Sequence, residues 1–160
     1  MRARRTAARI LLFVAIAITA AGCVGGSPTP TPAPPPSSAP SSPSDRAAAA
    51  VAFVTAQVGL PYCYAGIGPT CFDCSGLTYT AYRSAGLTTI PRTSGAQFLA
   101  YPTVPLNQLQ PGDLLFPADP TQHVAMYVGN GRMVHATKTG DFIKNVAVSS
   151  YPVVYAVRPQ

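Results

Sequence analysis

Tryptophan and glutamate are absent, and the 160 residues hold only five acids, all aspartates, against eleven bases. The formal charge of +6 would suit a nucleic-acid partner, but Arg2, Arg4, Arg5 and Arg9 crowd into the first ten positions. Beyond them seven bases face five acids, a net charge of +2, which gives little ground for expecting nucleic-acid binding. Long apolar runs are also missing. The run over residues 10–21 has twelve residues, too few to span a bilayer as a mature helix. There are two histidines, a single C-x-x-C and no internal repeat. The scarcity of histidine leaves few candidates for acid–base work.

What is present reads first as an address. A basic stretch, the short apolar run and the small residues before Cys23 suit a signal peptide over residues 1–22, of the type in which the following cysteine is acylated. Ala20 stands where such signals usually carry Leu, and an ordinary signal peptide with secretion is the alternative. The expectation is a lipoprotein on the outer face of the cell membrane, anchored through Cys23. Residues 23–44 then form a tether, with eight prolines between positions 27 and 44. Such a segment favours polyproline II geometry and reaches on the order of 50 Å.

One domain is expected over residues 45–160. Ser44 or Asp45 is placed to cap a helix that Gly59 and Pro61 end, a second helix starts at Cys74 and stops at Gly86, and a third starts near Ser94. Short apolar runs follow, DLLF, HVAMYV, RMVHAT, NVAV and VVYAV, which read as strands. Helices first and antiparallel strands afterwards make an α+β domain with a small sheet.

In an exported chain the cysteines need accounting. With Cys23 assigned to lipid, Cys63, Cys71 and Cys74 are an odd number, and three arrangements are open: a Cys63–Cys71 bridge with Cys74 free, a redox Cys71/Cys74 pair, or zinc. The redox pair would belong after the first strand of a parallel unit, where this sequence has a helix and a Gly/Pro-rich loop, and zinc would need a second ligand pair. The first is preferred. It stiffens the segment before Cys74 and leaves a thiol at the first turn of a helix, where the dipole favours thiolate. A thiolate needs a proton acceptor and donor, and imidazole suits that work near neutral pH.

His123 and His135 flank Gly129-Asn130-Gly131, so a hairpin is expected. A two-residue loop would send the two rings to opposite faces, whereas a three-residue loop over 129–131 sets them on one face. The three-residue loop is therefore predicted. Taken singly, a buried cysteine is ordinarily a small hydrophobe, a strand histidine structural, and Asp73 a helix cap. The combination is what points to nucleophile, base and orienter.

At FDCSGL (residues 72–77), HVAMYVGNG and MVHA the sequence resembles the NlpC-type family of cell-wall cysteine endopeptidases. PYCYAG, PRTSGAQF and QPGDLLF extend the resemblance across most of the domain. It implies a papain-like fold, hydrolysis of peptidoglycan stem peptides, often between D-Glu and a diamino acid, and no cofactor or metal. By the same resemblance Cys74 is the nucleophile, His123 the base and His135 its orienter. Tyr62 lines the oxyanion site, and Asp73 and Ser75 touch substrate. Tyr64 and Ala65 replace the family's Trp and first Gly, a change in the site wall. The expected partner is the stem peptide, and the expected state is a monomer. Competing readings are a non-catalytic wall-binding domain and a thiol–disulfide oxidoreductase.

Overall fold

The computed structural model describes residues 42–160; the expected signal peptide, Cys23 and most of the tether lie outside them. Three helices come first: α1 (Pro43–Ala56), α2 (Cys74–Ser84) and α3 (Ser94–Ala100). Five strands follow: β1 (Leu114–Phe116), β2 (Ala125–Gly129), β3 (Arg132–His135), β4 (Lys144–Ala147) and β5 (Tyr155–Val157). They form one sheet in the order β4-β3-β2-β1-β5, with every neighbouring pair antiparallel.

Local chemistry fixes the helix ends. The cap of α1 is Ser42, earlier than the expected Ser44 or Asp45. The Ser42 hydroxyl accepts from the Asp45 N–H and the Asp45 carboxylate accepts from the Ser42 N–H. Pro43 fits the first turn because its missing N–H would have no helical partner there. Proline, read as tether, thus opens a helix. At the far end of α2, Gly86 adopts φ 89°, its N–H bonds to the Arg83 carbonyl and the Leu87 N–H bonds to Tyr82. That pattern satisfies carbonyls left open by the last helical turn.

The sheet has two apolar faces. Leu114, Phe116, Met126 and Val134 point to the helices and meet Val54, Leu77 and Tyr82, while Leu115, Ala125, Met133 and Ala156 form a second cluster covered by loops. The two-residue period of a strand accounts for the division.

The β2–β3 hairpin departs from the predicted three-residue loop. Asn130 and Gly131 alone form the turn, both at positive φ (52° and 69°), and Gly129 pairs with Arg132. Positive φ at both central positions is what a tight hairpin turn of this hand requires, and Asn-Gly supplies it cheaply. A bulge then leaves Val128 without a partner, so that Tyr127 faces Met133 and Met126 faces Val134. The extra residue reverses the parity that a two-residue turn would impose. His123 and His135 therefore meet, though by a different route from the one expected. His123 itself lies two residues before β2 begins.

Candidate active site

The segment leading to α2 is stitched to the β3–β4 connection by backbone hydrogen bonds. The N–H of Gly59 reaches the Ile143 carbonyl (2.9 Å), that of Ile143 reaches Leu60 (2.8 Å), and that of Tyr62 reaches Asp141 (2.9 Å). Cys63 and Cys71 are joined by a disulfide, with Cα atoms 5.6 Å apart, and Cys74 is a free, half-buried thiol. The redox pairing of Cys71 with Cys74 is thereby overturned, since the Cys71 sulfur already belongs to Cys63. The bridged loop lies against the start of α2, where the Gly66 carbonyl accepts from the Asp73 N–H (3.0 Å). A methyl group on Gly76 would run into that same carbonyl oxygen, so the glycine of FDCSGL permits the close approach.

Asp73 caps α2, its carboxylate accepting from the Gly76 N–H at 2.6 Å. Cys74 is the first helical residue, and its sulfur draws on the backbone N–H groups of Val124 and Ser75. Val124 follows His123, which brings the sulfur to the start of β2. Tyr62 lies close to the sulfur, its phenol pushed up first by burial and then by the charges of Cys74 and Asp73. Tyr151 is close too, pushed up by burial and by Cys74.

The imidazoles form a pair. Nε2 of His123 lies 3.1 Å from Nδ1 of His135, and the residues are only 4% and 5% exposed. Burial, reinforced by His135, pushes His123 down to about 4. His135 is also pushed down, by burial and then Lys144, with Asp141 opposing. At neutral pH both rings are uncharged. For Nδ1 of His123 to be free to accept a proton, its hydrogen must sit on Nε2 and be donated to Nδ1 of His135.

The expected acidic thiol is overturned. Burial pushes the Cys74 thiol up and the Asp73 carboxylate adds to this, while the hydrogen bonds from Val124 and Ser75 offset only part. Desolvation of the charged form outweighs the favourable helix end.

Three residues escaped the sequence reading. Arg92 donates to both carboxylate oxygens of Asp73 (3.1 and 2.5 Å) and to the Ser75 hydroxyl (3.0 Å). Asp73 and Ser75, expected to touch substrate, are 8% and 7% exposed; the Asp73 carboxylate serves Arg92 and the cap, and the Ser75 hydroxyl accepts from Arg92 and bonds the Cys74 sulfur. Gln97, fully buried, donates to the carbonyls of Ser75 (3.1 Å) and Pro91 (2.9 Å) and accepts from Thr78 (2.8 Å). It thereby fixes the segment that delivers Arg92. The Tyr151 ring lies 5.1 Å from His123 and 5.4 Å from His135, centroid to centroid. The polar residues of PRTSGAQF were the available signal for Arg92 and Gln97; Tyr151, in a loop before β5, offered none.

Residues 59–156 match the NlpC/P60 family. Among relatives, the chain is 40% identical over 103 residues to the "Probable endopeptidase p60" of Listeria seeligeri, covering 63% of this chain and 20% of that one. It is 44% identical over 92 residues to the "Gamma-D-glutamyl-L-lysine dipeptidyl-peptidase" of Bacillus subtilis (strain 168), covering 54% and 31%. The chain thus spans less than a third of these relatives' lengths. Of solved structures, the NlpC/p60 domain of the peptidoglycan hydrolase SagA superposes with a TM-score of 0.65 at 34% identity, over 69% of this chain and 97% of that domain. The peptidoglycan hydrolase RipB of Mycobacterium tuberculosis gives 0.65 at 27% identity, over 72% and 65%. With the family match running from the segment before the disulfide to β5, across the free thiol and both histidines, the chain belongs to the NlpC/P60 family.

Proposed function

We propose that the chain is a cysteine endopeptidase that hydrolyses amide bonds of peptidoglycan stem peptides, of the D-Glu–diamino acid type, through an acyl-enzyme on Cys74. The observations that carry this are a free thiol at the first turn of α2, hydrogen-bonded by the N–H of Val124, and a buried His–His pair whose His123 directly precedes Val124. The names of relatives, a γ-D-glutamyl-L-lysine dipeptidyl-peptidase among them, support the substrate class.

The steps follow from the proton positions. The Cys74 sulfur attacks the amide carbonyl while its proton passes to Nδ1 of neutral His123, so that thiolate never has to accumulate. Negative charge develops on the carbonyl oxygen, where the Cys74 N–H at the open helix start, with Tyr62 nearby, stabilises it. His135 accepts from Nε2 of His123 and supports the imidazolium that forms. The tetrahedral adduct expels the amine, which takes the proton from His123 and leaves a thioester. Water then attacks the thioester, giving its proton to His123; the acid departs and the thiol is restored.

Residues 1–22 would export the chain, acylated Cys23 would hold it at the outer face of the membrane, and the residues from Cys23 to the start of α1 would tether the domain there. The test is incubation of purified peptidoglycan with the protein, followed by mass spectrometry of the released peptides. New ends at D-Glu and at the diamino acid are expected. Binding to the wall without any released peptide would favour a non-catalytic wall-binding domain instead.

A further inference from the structure

Arg92 stands outside the thiol–imidazole set, yet its geometry is that of a built pair. The guanidinium grips the Asp73 carboxylate in the bidentate manner that fixes both direction and charge, and one nitrogen also holds the Ser75 hydroxyl. Asp73 and Ser75 are the neighbours of Cys74 on either side. The arm that carries Arg92 is clamped in turn, because Gln97 ties the Pro91 carbonyl to the Ser75 carbonyl. Helix capping alone would not call for this arrangement, since the Gly76 N–H already satisfies the cap. A bare carboxylate one residue from a half-buried sulfur opposes its ionisation, and a guanidinium on both oxygens spreads and offsets that charge.

We propose that Arg92 is a positioning residue for the nucleophile: held on Asp73 and Ser75, it masks the negative charge next to Cys74 and so keeps proton loss from the thiol within reach of His123. This rests on the reading of Cys74 as the nucleophile. The other groups around the sulfur are the Ser75 hydroxyl, Tyr62 from the segment before the disulfide, the Val124 N–H next to His123 in sequence, and Tyr151 from the loop before β5, whose ring also meets the His123–His135 pair. None of these carries a positive charge at neutral pH; Lys144, which acts on His135, is paired with Asp141, whereas Arg92 is the cation held on the two neighbours of Cys74.

The test is the pH dependence of Cys74 alkylation by iodoacetamide. It is measured on the full chain under non-reducing conditions and read by mass on the peptide that carries Cys74. Arg92→Gln is expected to raise the midpoint by about one pH unit, making alkylation about tenfold slower near neutrality. Asp73→Asn, which keeps a capping oxygen, is expected to lower the midpoint, and the double variant to return it close to the original. A midpoint unmoved by Arg92→Gln, or one that stays raised in the double variant, overturns the proposal, because a purely structural role would not be reversed by removing the carboxylate's charge. If Arg92→Gln fails to fold, Asp73→Asn decides alone, and an unchanged midpoint counts against the idea. Alkylation needs no turnover. A chain that cleaves no wall peptide would refute the proposed activity and still leave this reading open to its own test.

Discussion

Nε2 of His123 and Nδ1 of His135 are 3.1 Å apart, within a pocket that leaves both rings almost without solvent. One hydrogen bond therefore sets the tautomer and the ring direction of His123, while burial sets its charge state. Removing the partner leaves a buried N–H unsatisfied and the ring free to turn. His135→Ala is expected to lower kcat by about 10²- to 10³-fold with little change in KM. His135→Asn, which can still accept, should retain more activity. Steady-state cleavage of a purified wall peptide by the two variants makes the comparison.

The same burial ties stability to acid. His123 titrates near 4 when folded, against 6.5 in an unstructured chain, so the unfolded state takes up the proton first. Its contribution is fully present above about 6.5 and is lost as pH falls through about 4. Urea unfolding at a series of pH values should show stability falling across that window. His123→Gln should flatten the slope.

Gln97 bonds two carbonyls and one hydroxyl with a single amide, and the Thr78 hydroxyl also donates to the Ser75 carbonyl. Leucine there would strand the Pro91 carbonyl and take one partner each from Ser75 and Thr78, a cost of about 1–3 kcal/mol. Thermal unfolding of Gln97→Leu should show a correspondingly lower Tm. Activity should fall as well, because the Arg92 arm loses its clamp.

The Cys63–Cys71 bridge closes a short loop over the start of α2. In the chain-entropy description such a loop contributes roughly 2.5 kcal/mol. Replacing both cysteines by serine should remove about that much in denaturant titration, and peptide mapping of the unreduced protein should recover the two cysteines linked.

Much of this site was readable because the governing interactions are short in sequence. Asp73 and Gly76 announce the start of α2 within four residues, and Gly86 announces its end. The hairpin shows how a correct outcome can follow from an incorrect path. Asn130-Gly131 signals a two-residue turn, but the bulge at Val128 that restores a shared face for the histidines has no mark in the local pattern. Arg92 lies 19 residues from Asp73, and choosing it among the bases required the fold. The thiol's direction failed for a similar reason. A helix start can be read from sequence, whereas the burial that outweighs it arises only when α2, the hairpin and the Tyr62 segment close around the sulfur. Ser42 sits among prolines and serines that resemble the tether, which hides its capping role.

Cys74→Ala tests the central claim most directly, measured beside the unaltered chain on one purified stem peptide, with circular dichroism to show that the fold is kept. The expected result is no cleavage by the variant, together with an acyl adduct on the Cys74 peptide of the unaltered protein after rapid acid quenching. Cleavage by Cys74→Ala at an undiminished rate would contradict it.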